Sequence, residues 1–409
     1  MNIILRLAWR NIWRQPRRTW LTAGAMVFSN VLLVFMMSFQ FGMYSLMIDN
    51  SLQALTGHMQ VQAPGYVDDQ RMRQTVADVG DLSRSLREQL ASDTIAARAQ
   101  AFVLASSDER SYGIAIIGVE PHFEQKVSNI SGLVSKGRFL SENDAAEIVV
   151  GAVLARNLRV NIGDELTILG SGVDGSFAAA VVTVIGIFDS GVPDLDRTLA
   201  EIPLGLFNDV FYMEGAGHHV VVNAPTVDFA PALQAELEAL LPEDADLVVH
   251  DWDRLLPGLK QAIQADLSSS FFMYGVLAIL VAFSVLNTQL MSVLERTHEF
   301  GIVMALGLKP GRLGRLVMLE TVMIGLLGAV IGALLGSILT WYFSFSGFQI
   351  PGMEEMAIQF NLPARLYPQV TALSLLLGPG IVFVFSLLAA VYPALRLRWL
   401  QPVDAMRAA

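Results

Sequence analysis

The sequence predicts a polytopic α-helical membrane protein, with four transmembrane helices and a large α+β extracytoplasmic domain between the first helix and the second. Two observations lead to this class. Of the 409 residues, 53% are hydrophobic and only 16% are charged, whereas about 25% of the residues in a soluble protein carry a charge. The charged residues are also unevenly placed, because four segments of 28 to 33 residues contain no Asp, Glu, Lys or Arg.

Each uncharged segment is long enough to cross a bilayer, which takes about 20 apolar residues. The alternative, a helix buried in a soluble core, fits poorly because such helices rarely stay uncharged over so many residues. The predicted transmembrane helices cover residues 19–48, 268–294, 316–344 and 371–393.

The remaining segments differ in character. Residues 1–18 predict an interfacial amphipathic helix, since apolar side chains recur at helical spacing, Trp9 and Trp13 suit the headgroup region, and the arginines suit anionic lipid. The other segments are a large domain (49–267), a charged elbow (295–315), a short outer loop (345–370) and a C-terminal tail (394–409).

The distribution of Lys and Arg predicts the orientation, because these residues concentrate on the cytoplasmic side. Five arginines and no acid precede the first helix, the elbow has four basic residues, and the tail has three, whereas Arg365 is the single basic residue of the outer loop. Both termini and the elbow are therefore expected in the cytoplasm. The large domain then lies outside, and its 32 acidic against 14 basic residues account for the negative charge of the whole chain.

Strand and helix patterns in the large domain predict an α+β fold. Strand–helix–strand patterns at both ends, with helices at 78–90 and 228–241, indicate a split unit formed by 49–105 and 201–267, with a strand-rich insert at 106–200. A Gly- and Ser-rich stretch at 169–180 predicts an exposed hairpin tip. It is either an ordinary turn or a partner-contact loop, for which the candidate residues are Gly170, Gly172, Asp174 and Gly175.

Several kinds of chemistry are missing from the sequence. No G-x-x-x-x-G-K-[ST], H-E-x-x-H or G-x-S-x-G motif occurs, so neither catalytic nor metal-ligating residues are predicted and the chain is not expected to be an enzyme. Cysteine is absent, which excludes thiolate sites. The four uncharged segments offer no acidic or basic residue to carry an ion, which disfavours a proton- or sodium-coupled carrier.

The third predicted transmembrane helix contains a row of glycines. Gly328, Gly332 and Gly336 are four residues apart on one face, and Gly325 lies close by. Small residues at this spacing let two helices approach closely in lipid. The sequence leaves open whether the partner is another helix of this chain or a second protomer.

The elbow is the most informative segment. "LERTHEFGIVMALGLKPGRLGRLVMLE" (294–320) predicts a short helix that ends at Gly307, a break at Lys309-Pro310-Gly311, and a new helix. An idle connection would need only a few polar residues, whereas this mixture suits docking onto a soluble partner. We expect it to expose charged and apolar side chains together: Arg296, His298, Glu299 and Lys309 beside Phe300, Ile302, Met304 and Leu306.

These motifs resemble those of MacB/FtsX-type ABC transporter permeases, the type VII or mechanotransmission group. "ERTHEFGIVMALG" is similar to the family pattern E-R-x-x-E-I-G-I-x-x-A-L-G, with Phe300 in place of the usual Ile. "YPALRLRWLQPVDAMR" (392–407) resembles the family's ending, and "LAWRNIWRQPRRTWLT" its start. "HMQVQAPGY" and "VTVIGIFDSGVPDLDRTLAEIPL" look most like the lipoprotein-releasing Lol permeases.

The resemblance implies a permease subunit in the bacterial inner membrane that transmits ATP-driven motion of a separate ATPase to its periplasmic domain, and so extracts or exports lipoprotein or another amphiphile. The expected partners are two ABC ATPase subunits, a second permease that is identical or paralogous, membrane lipids, and a periplasmic carrier or lipoprotein, but no nucleic acid. No cofactor is expected on this chain, because the ATPase subunits bind ATP and magnesium.

The residues expected to couple to the ATPase lie in the elbow: Glu295, Arg296, Glu299, Gly301, Ile302, Met304, Leu306, Gly307 and Lys309. Two alternatives stay open. An FtsX-like regulator would use the same motion to activate a periplasmic partner such as a cell-wall hydrolase, and a membrane receptor would need no ATPase. The sequence does not identify the cargo.

Overall fold

The computed structural model describes residues 3–142, 145–242, 245–348 and 365–399. The described residues fall into two units. A helical unit contains residues up to 44 and from 263 onwards, and a sheet unit contains residues 45 to 262. Most of the predicted outer loop and of the C-terminal tail lies outside the described residues.

The described helices are α1 (Ile3–Arg14), α2 (Pro16–Ser51), α3 (Val79–Leu90), α4 (Pro121–Val127), α5 (Ala152–Leu158), α6 (Pro193–Thr198), α7 (Leu204–Phe211), α8 (Ala230–Leu240), α9 (Trp252–Leu255), α10 (Pro257–Glu295), α11 (Thr297–Ala305), α12 (Pro310–Ser346) and α13 (Ala372–Arg396). The described strands are β1 (Met59–Gln62), β2 (Ile95–Ser106), β3 (Ser111–Val119), β4 (Val134–Gly137), β5 (Glu147–Gly151), β6 (Glu165–Ser171), β7 (Phe177–Phe188), β8 (Leu199–Pro203), β9 (His219–Val222) and β10 (Val248–Asp251).

In the described part of the chain, four helices are long and apolar enough to cross a membrane: α2, α10, α12 and α13. The prediction of four transmembrane helices is therefore confirmed. Three of them begin with a proline, at positions 16, 257 and 310. Proline suits the first helical position because its missing N–H would have no partner there. At 39 residues, α10 is about 58 Å long, nearly twice the roughly 30 Å of a hydrocarbon core.

The glycine row of α12 packs within this chain. Three of its glycines approach α2 so closely that an added Cβ would clash: Gly328 with Met26 (2.7 Å), Gly332 with Asn30 (2.4 Å) and Gly336 with Val34 (2.9 Å). Gly325 instead faces α13, where an added Cβ would lie 2.9 Å from Cδ2 of Phe383. The Nδ2 atom of Asn30 donates to the backbone oxygen of Gly328 at 3.2 Å. The sequence left open whether the glycine row packs within this chain or against a second protomer. In the structure it packs against α2 and α13 of the same chain.

Gly332→Ala is expected to destabilise this helix contact. Its Cβ would lie 2.4 Å from Cβ of Asn30 and 3.1 Å from the backbone oxygen of Val27, so the helices must separate, at a cost of about 1–3 kcal/mol. The midpoint of thermal unfolding in detergent should fall. Gly275→Ala is the matched control, because its Cβ would meet nothing within 4 Å. Equal midpoints for the two variants would contradict the packing described.

The sheet unit contains both helices and strands, in agreement with the α+β domain predicted between the first two transmembrane helices. The ten described strands form one sheet in the order β10-β1-β9-β2-β3-β8-β5-β7-β4, with β6 paired to β2 and β7. Strands from both predicted halves of the split unit are adjacent, in the series β10, β1, β9 and β2. The predicted insert is joined to them by continuous pairing, because the 12-residue β2 pairs with both β9 and β3.

Helices α3 and α8 lie where the sequence predicted helices. α3 buries Val79, Ser83 and Leu86, a spacing of four and then three residues that places one face of the helix on the sheet. Because Val79 and Leu86 belong to the large apolar cluster of this unit, burial of this face holds the helix in place.

The sheet unit also contains a buried cluster of ionisable side chains. Arg98 and Glu124 are 1% and 0% exposed and form an ion pair, with Nε of Arg98 donating to Oε2 of Glu124 at 3.0 Å. Arg98 donates as well to the backbone oxygen of Leu55, in the π-helical turn that follows α2. Glu201 is fully buried nearby, and neither of its carboxylate oxygens has a hydrogen-bond partner among the described residues.

Glu201 makes the stability of this unit depend on pH. Burial, followed by repulsion from Glu124, raises its pKa well above the usual 4.5. The folded state therefore holds a proton that the unfolded chain releases, so stability is present below pH 4.5 and falls as the pH rises towards the raised value, by about 1.4 kcal/mol per pH unit. We expect Glu201→Gln to become more stable relative to the wild type between pH 5 and pH 8.

Denaturant titrations of both proteins at each pH measure this difference, and taking the difference removes the contributions of other titrating groups. The exposed Glu165 provides the control, since Glu165→Gln should show no such trend. A pH-independent difference between Glu201→Gln and the wild type would contradict the assignment.

Candidate functional site

The elbow folds as a short helix between two long ones. α10 ends at Glu295, and Arg296 interrupts the helix before α11 begins. After α11, Gly307 has a φ of +95°, which lies in the region that glycine adopts without strain. Its N–H donates to the backbone oxygen of Met304 at 2.9 Å, and that of Leu308 donates to Val303 at 3.2 Å. These two bonds form a Schellman motif that ends the helix.

Part of the elbow faces inward, which corrects the expected exposure. Phe300 and Met304 are only 3% and 7% exposed, and Gly301 is buried between them. Phe300 and Met304 pack in an apolar cluster with Val293, Leu313, Val317 and Leu397. The expectation that Phe300 and Met304 are exposed is therefore wrong, because α12 and the turn after α13 cover that face of α11.

Arg296 is also mostly covered, contrary to expectation. Its side chain is 13% exposed and pairs with the buried Glu320 at 3.2 Å and with Glu299 at 3.7 Å. The guanidinium carbon lies 4.9 Å from the centre of the Phe300 ring, within the range of a cation–π contact. Arg296 therefore holds the start of α11 against α12.

The outward side of the elbow forms a mixed surface that we call the docking face, defined by His298, Ile302, Leu306 and Lys309. All four side chains are exposed. Ile302 is 44% exposed and Leu306 83%. Residues four apart on a helix lie on one face, so His298, Ile302 and Leu306 form a single row. This arrangement can bury apolar surface against a protein partner while its polar ends stay hydrated.

Ion pairs connect the elbow to the N-terminal helix. Arg14 of α1 pairs with Glu299 at 2.8 Å, and Arg18 of α2 pairs with Glu295 at 3.1 Å. A third contact is partly buried, since Nδ2 of Asn11 donates to Oε1 of Glu320 at 2.8 Å. Glu295 and Glu299, two of the predicted coupling residues, thus pair with arginines of α2 and α1 and still remain partly exposed to solvent.

Sequence reasoning missed Asn11, Arg14, Arg18 and Glu320 as members of this site. The contacts join residues between 277 and 309 positions apart, which no local pattern reveals. One signal was available: Glu320 lies directly before an uncharged segment of 33 residues, where a buried carboxylate needs a partner.

The predicted partner-contact loop is the tip of the β6–β7 hairpin. Gly170 lies in β6, and Gly172, Asp174 and Gly175 form the turn. Hydrogen bonds from Ser176 hold the pKa of Asp174 below its ordinary value. Arg73 donates to the backbone oxygens at positions 173 and 174, at 3.2 and 3.3 Å, so this loop is tied to the rest of the sheet unit.

Known proteins resemble this chain over most of its length. The family of the FtsX-like permease C-terminal domain matches residues 271–402, and that of the MacB-like periplasmic core domain matches residues 19–240. The lipoprotein-releasing system transmembrane protein LolC of Xylella fastidiosa is 26% identical over 313 residues, covering 73% of this chain and 74% of that protein.

Two further similarities were found. LolC of Neisseria meningitidis is 25% identical over 313 residues, covering 72% of this chain and 73% of that protein. The crystal structure of the periplasmic region of MacB from Actinobacillus actinomycetemcomitans aligns with a TM-score of 0.36 and 15% identity, covering 51% of this chain and 93% of that structure.

Proposed function

Since this chain belongs to the family with a MacB-like periplasmic core domain, and is an ABC transporter permease of the MacB, FtsX and LolC type, we propose that its elbow receives the motion of a separate ATPase. The main support for this proposal is the exposed apolar surface of the docking face. Leu306 is 83% exposed beside Ile302, and an apolar residue so exposed at the end of a helix is suited to insertion into a groove. Full burial of each of these side chains contributes about 1.5–3 kcal/mol to association.

Motion at the docking face has two routes into the rest of the chain. α11 is anchored to α1 through Glu299, and Arg296 directly before it pairs with Glu320 of α12. Glu295 at the end of α10 pairs with Arg18 of α2. A displacement of α11 is therefore passed to α2, α10 and α12 together. α2 and α10 also continue by chain connection into the sheet unit, so they are the mechanical path to the external domain.

We place the chain in a bacterial inner membrane with both termini in the cytoplasm, on the strength of the Lys and Arg distribution. The functional complex would contain two ATPase subunits that bind ATP and magnesium, and a second permease that is identical or paralogous. The sheet unit would then lie in the periplasm, where the ATP-driven motion is used.

Lipoprotein or another amphiphile is the proposed cargo. The LolC relatives named above are lipoprotein-releasing system proteins, and the uncharged segments of the membrane helices offer no charged path for a hydrophilic solute. A regulator of the FtsX kind would use the same elbow. Purification of the complex with its ATPase trapped by vanadate distinguishes export from regulation. Lipid-modified protein in the sample supports export, whereas a bound periplasmic hydrolase supports regulation.

Gly307→Pro tests the role of the elbow. Proline cannot adopt the φ of +95° observed at this position, and it removes the N–H that donates to Met304. We expect the variant to insert into the membrane but to lose most of the co-purifying ATPase, measured by mass spectrometry and by ATP hydrolysis. Gly311→Ala is the control, because its Cβ meets nothing within 4 Å. Normal ATPase recovery with Gly307→Pro would refute the proposal.

A further inference from the structure

Three tryptophans form a row where α1 meets α2. The rings of Trp9 and Trp13 have centroids 5.9 Å apart, and those of Trp13 and Trp20 are 6.2 Å apart, both in edge-to-face geometry. Each side chain is about half exposed, at 50%, 44% and 55% respectively. Together with Ile12 they line one side of a narrow apolar groove, and Ile324 and Leu327 of α12 line the other.

Each of these tryptophans has an arginine three residues earlier. The pairs are Arg6 with Trp9, Arg10 with Trp13, and Arg17 with Trp20, and residues three apart on a helix are neighbours. The three arginines are exposed. None of them has an ion-pair partner within the described part of the chain, whereas Arg14 and Arg18 are engaged by the elbow. The tryptophan row therefore has a rim of three free positive charges.

We propose that this groove marks a binding site for an anionic phospholipid, with an acyl chain lying along its lipid-facing opening and the headgroup attracted by Arg6, Arg10 and Arg17 at its rim. We choose a lipid as the occupant because one wall of the groove belongs to α12, which is apolar enough to cross a membrane. A helix of this kind is surrounded by lipid. Tryptophan prefers the headgroup region of a bilayer. Unpaired arginines at that depth attract anionic rather than zwitterionic lipid.

Quenching of tryptophan fluorescence by brominated lipid tests the site without any ATPase, so the result does not depend on the proposed function. Of the six tryptophans, those at 252, 341 and 399 are changed to phenylalanine, which leaves only the row. The full chain is placed in phosphatidylcholine vesicles that contain a small, equal fraction of dibrominated phosphatidylglycerol or dibrominated phosphatidylcholine. We expect the anionic lipid to be enriched at the row about fivefold over the zwitterionic one.

The triple variant Arg6→Gln, Arg10→Gln, Arg17→Gln should lose this preference while keeping the quenching by phosphatidylcholine, which also shows that the row is still in the bilayer. Arg396→Gln, which removes an exposed arginine at the end of α13, should keep the preference. Equal quenching by the two lipids in the parent protein, a preference that survives in the triple variant, or no quenching by either lipid would overturn the proposal.

Discussion

Leu306→Asp is expected to lower the affinity of the chain for its ATPase by at least about 30-fold, because a hot-spot residue contributes about 2 kcal/mol or more. Leu306 is the most exposed apolar side chain of the docking face, at 83%. The substitution removes its apolar area and would bury a carboxylate at the contact. Since this side chain is solvated in the free chain, folding and membrane insertion should be unchanged. Titration of detergent-solubilised chain with purified ATPase subunits measures the affinity.

A matched control separates this effect from a general effect of adding charge. Phe102 is also apolar and 68% exposed, but it lies on β2 of the sheet unit. Phe102→Asp should leave ATPase affinity unchanged. If both variants bind the ATPase like the wild type, the docking face is not the contact surface.

Arg98→Met is expected to destabilise the sheet unit by about 3–5 kcal/mol, the usual result of breaking a buried ion pair from one side. The change removes the partner of Glu124, which is 0% exposed. It also leaves the backbone oxygen of Leu55 without the Arg98 donor. Hydrogen exchange of the full chain in detergent should show lost protection in β2 and β9.

Two further variants make this result specific. Arg98→Met combined with Glu124→Leu removes both charges of the pair and should regain part of the lost stability. Arg84→Met breaks an ion pair with Asp81 whose side chains are 65% and 72% exposed, and such surface pairs contribute little. Similar protection in Arg98→Met and Arg84→Met would show that the buried pair does not stabilise the unit.

The sequence was sufficient for features that depend on local pattern. The four membrane helices follow from uncharged segments, and α3 and α8 from the strand–helix–strand patterns of the large domain. The turn of the elbow follows from glycine and proline, and Gly307 has the positive φ that its position after a helix suggested. In each case the deciding residues lie within a few positions of one another.

Features that depend on tertiary contact were not predictable from the sequence. Phe300 and Ile302 look equivalent in the chain, yet one is 3% and the other 44% exposed, because α12 and the turn after α13 cover only one face of α11. Strand β8 is a second example. Its central residue is Glu201, whose burial among Arg98 and Glu124 is uncommon for a carboxylate.

Labelling of a single cysteine tests the central claim, that the elbow is a cytoplasmic handle for an ATPase. The chain contains no cysteine, so Leu306→Cys gives a unique reactive site at the most exposed apolar position of the docking face. A membrane-impermeant maleimide should label it in inverted membrane vesicles but not in intact spheroplasts, and bound ATPase should protect it. Labelling from the outer face, or equal labelling of the vesicles with and without the ATPase, would contradict the account.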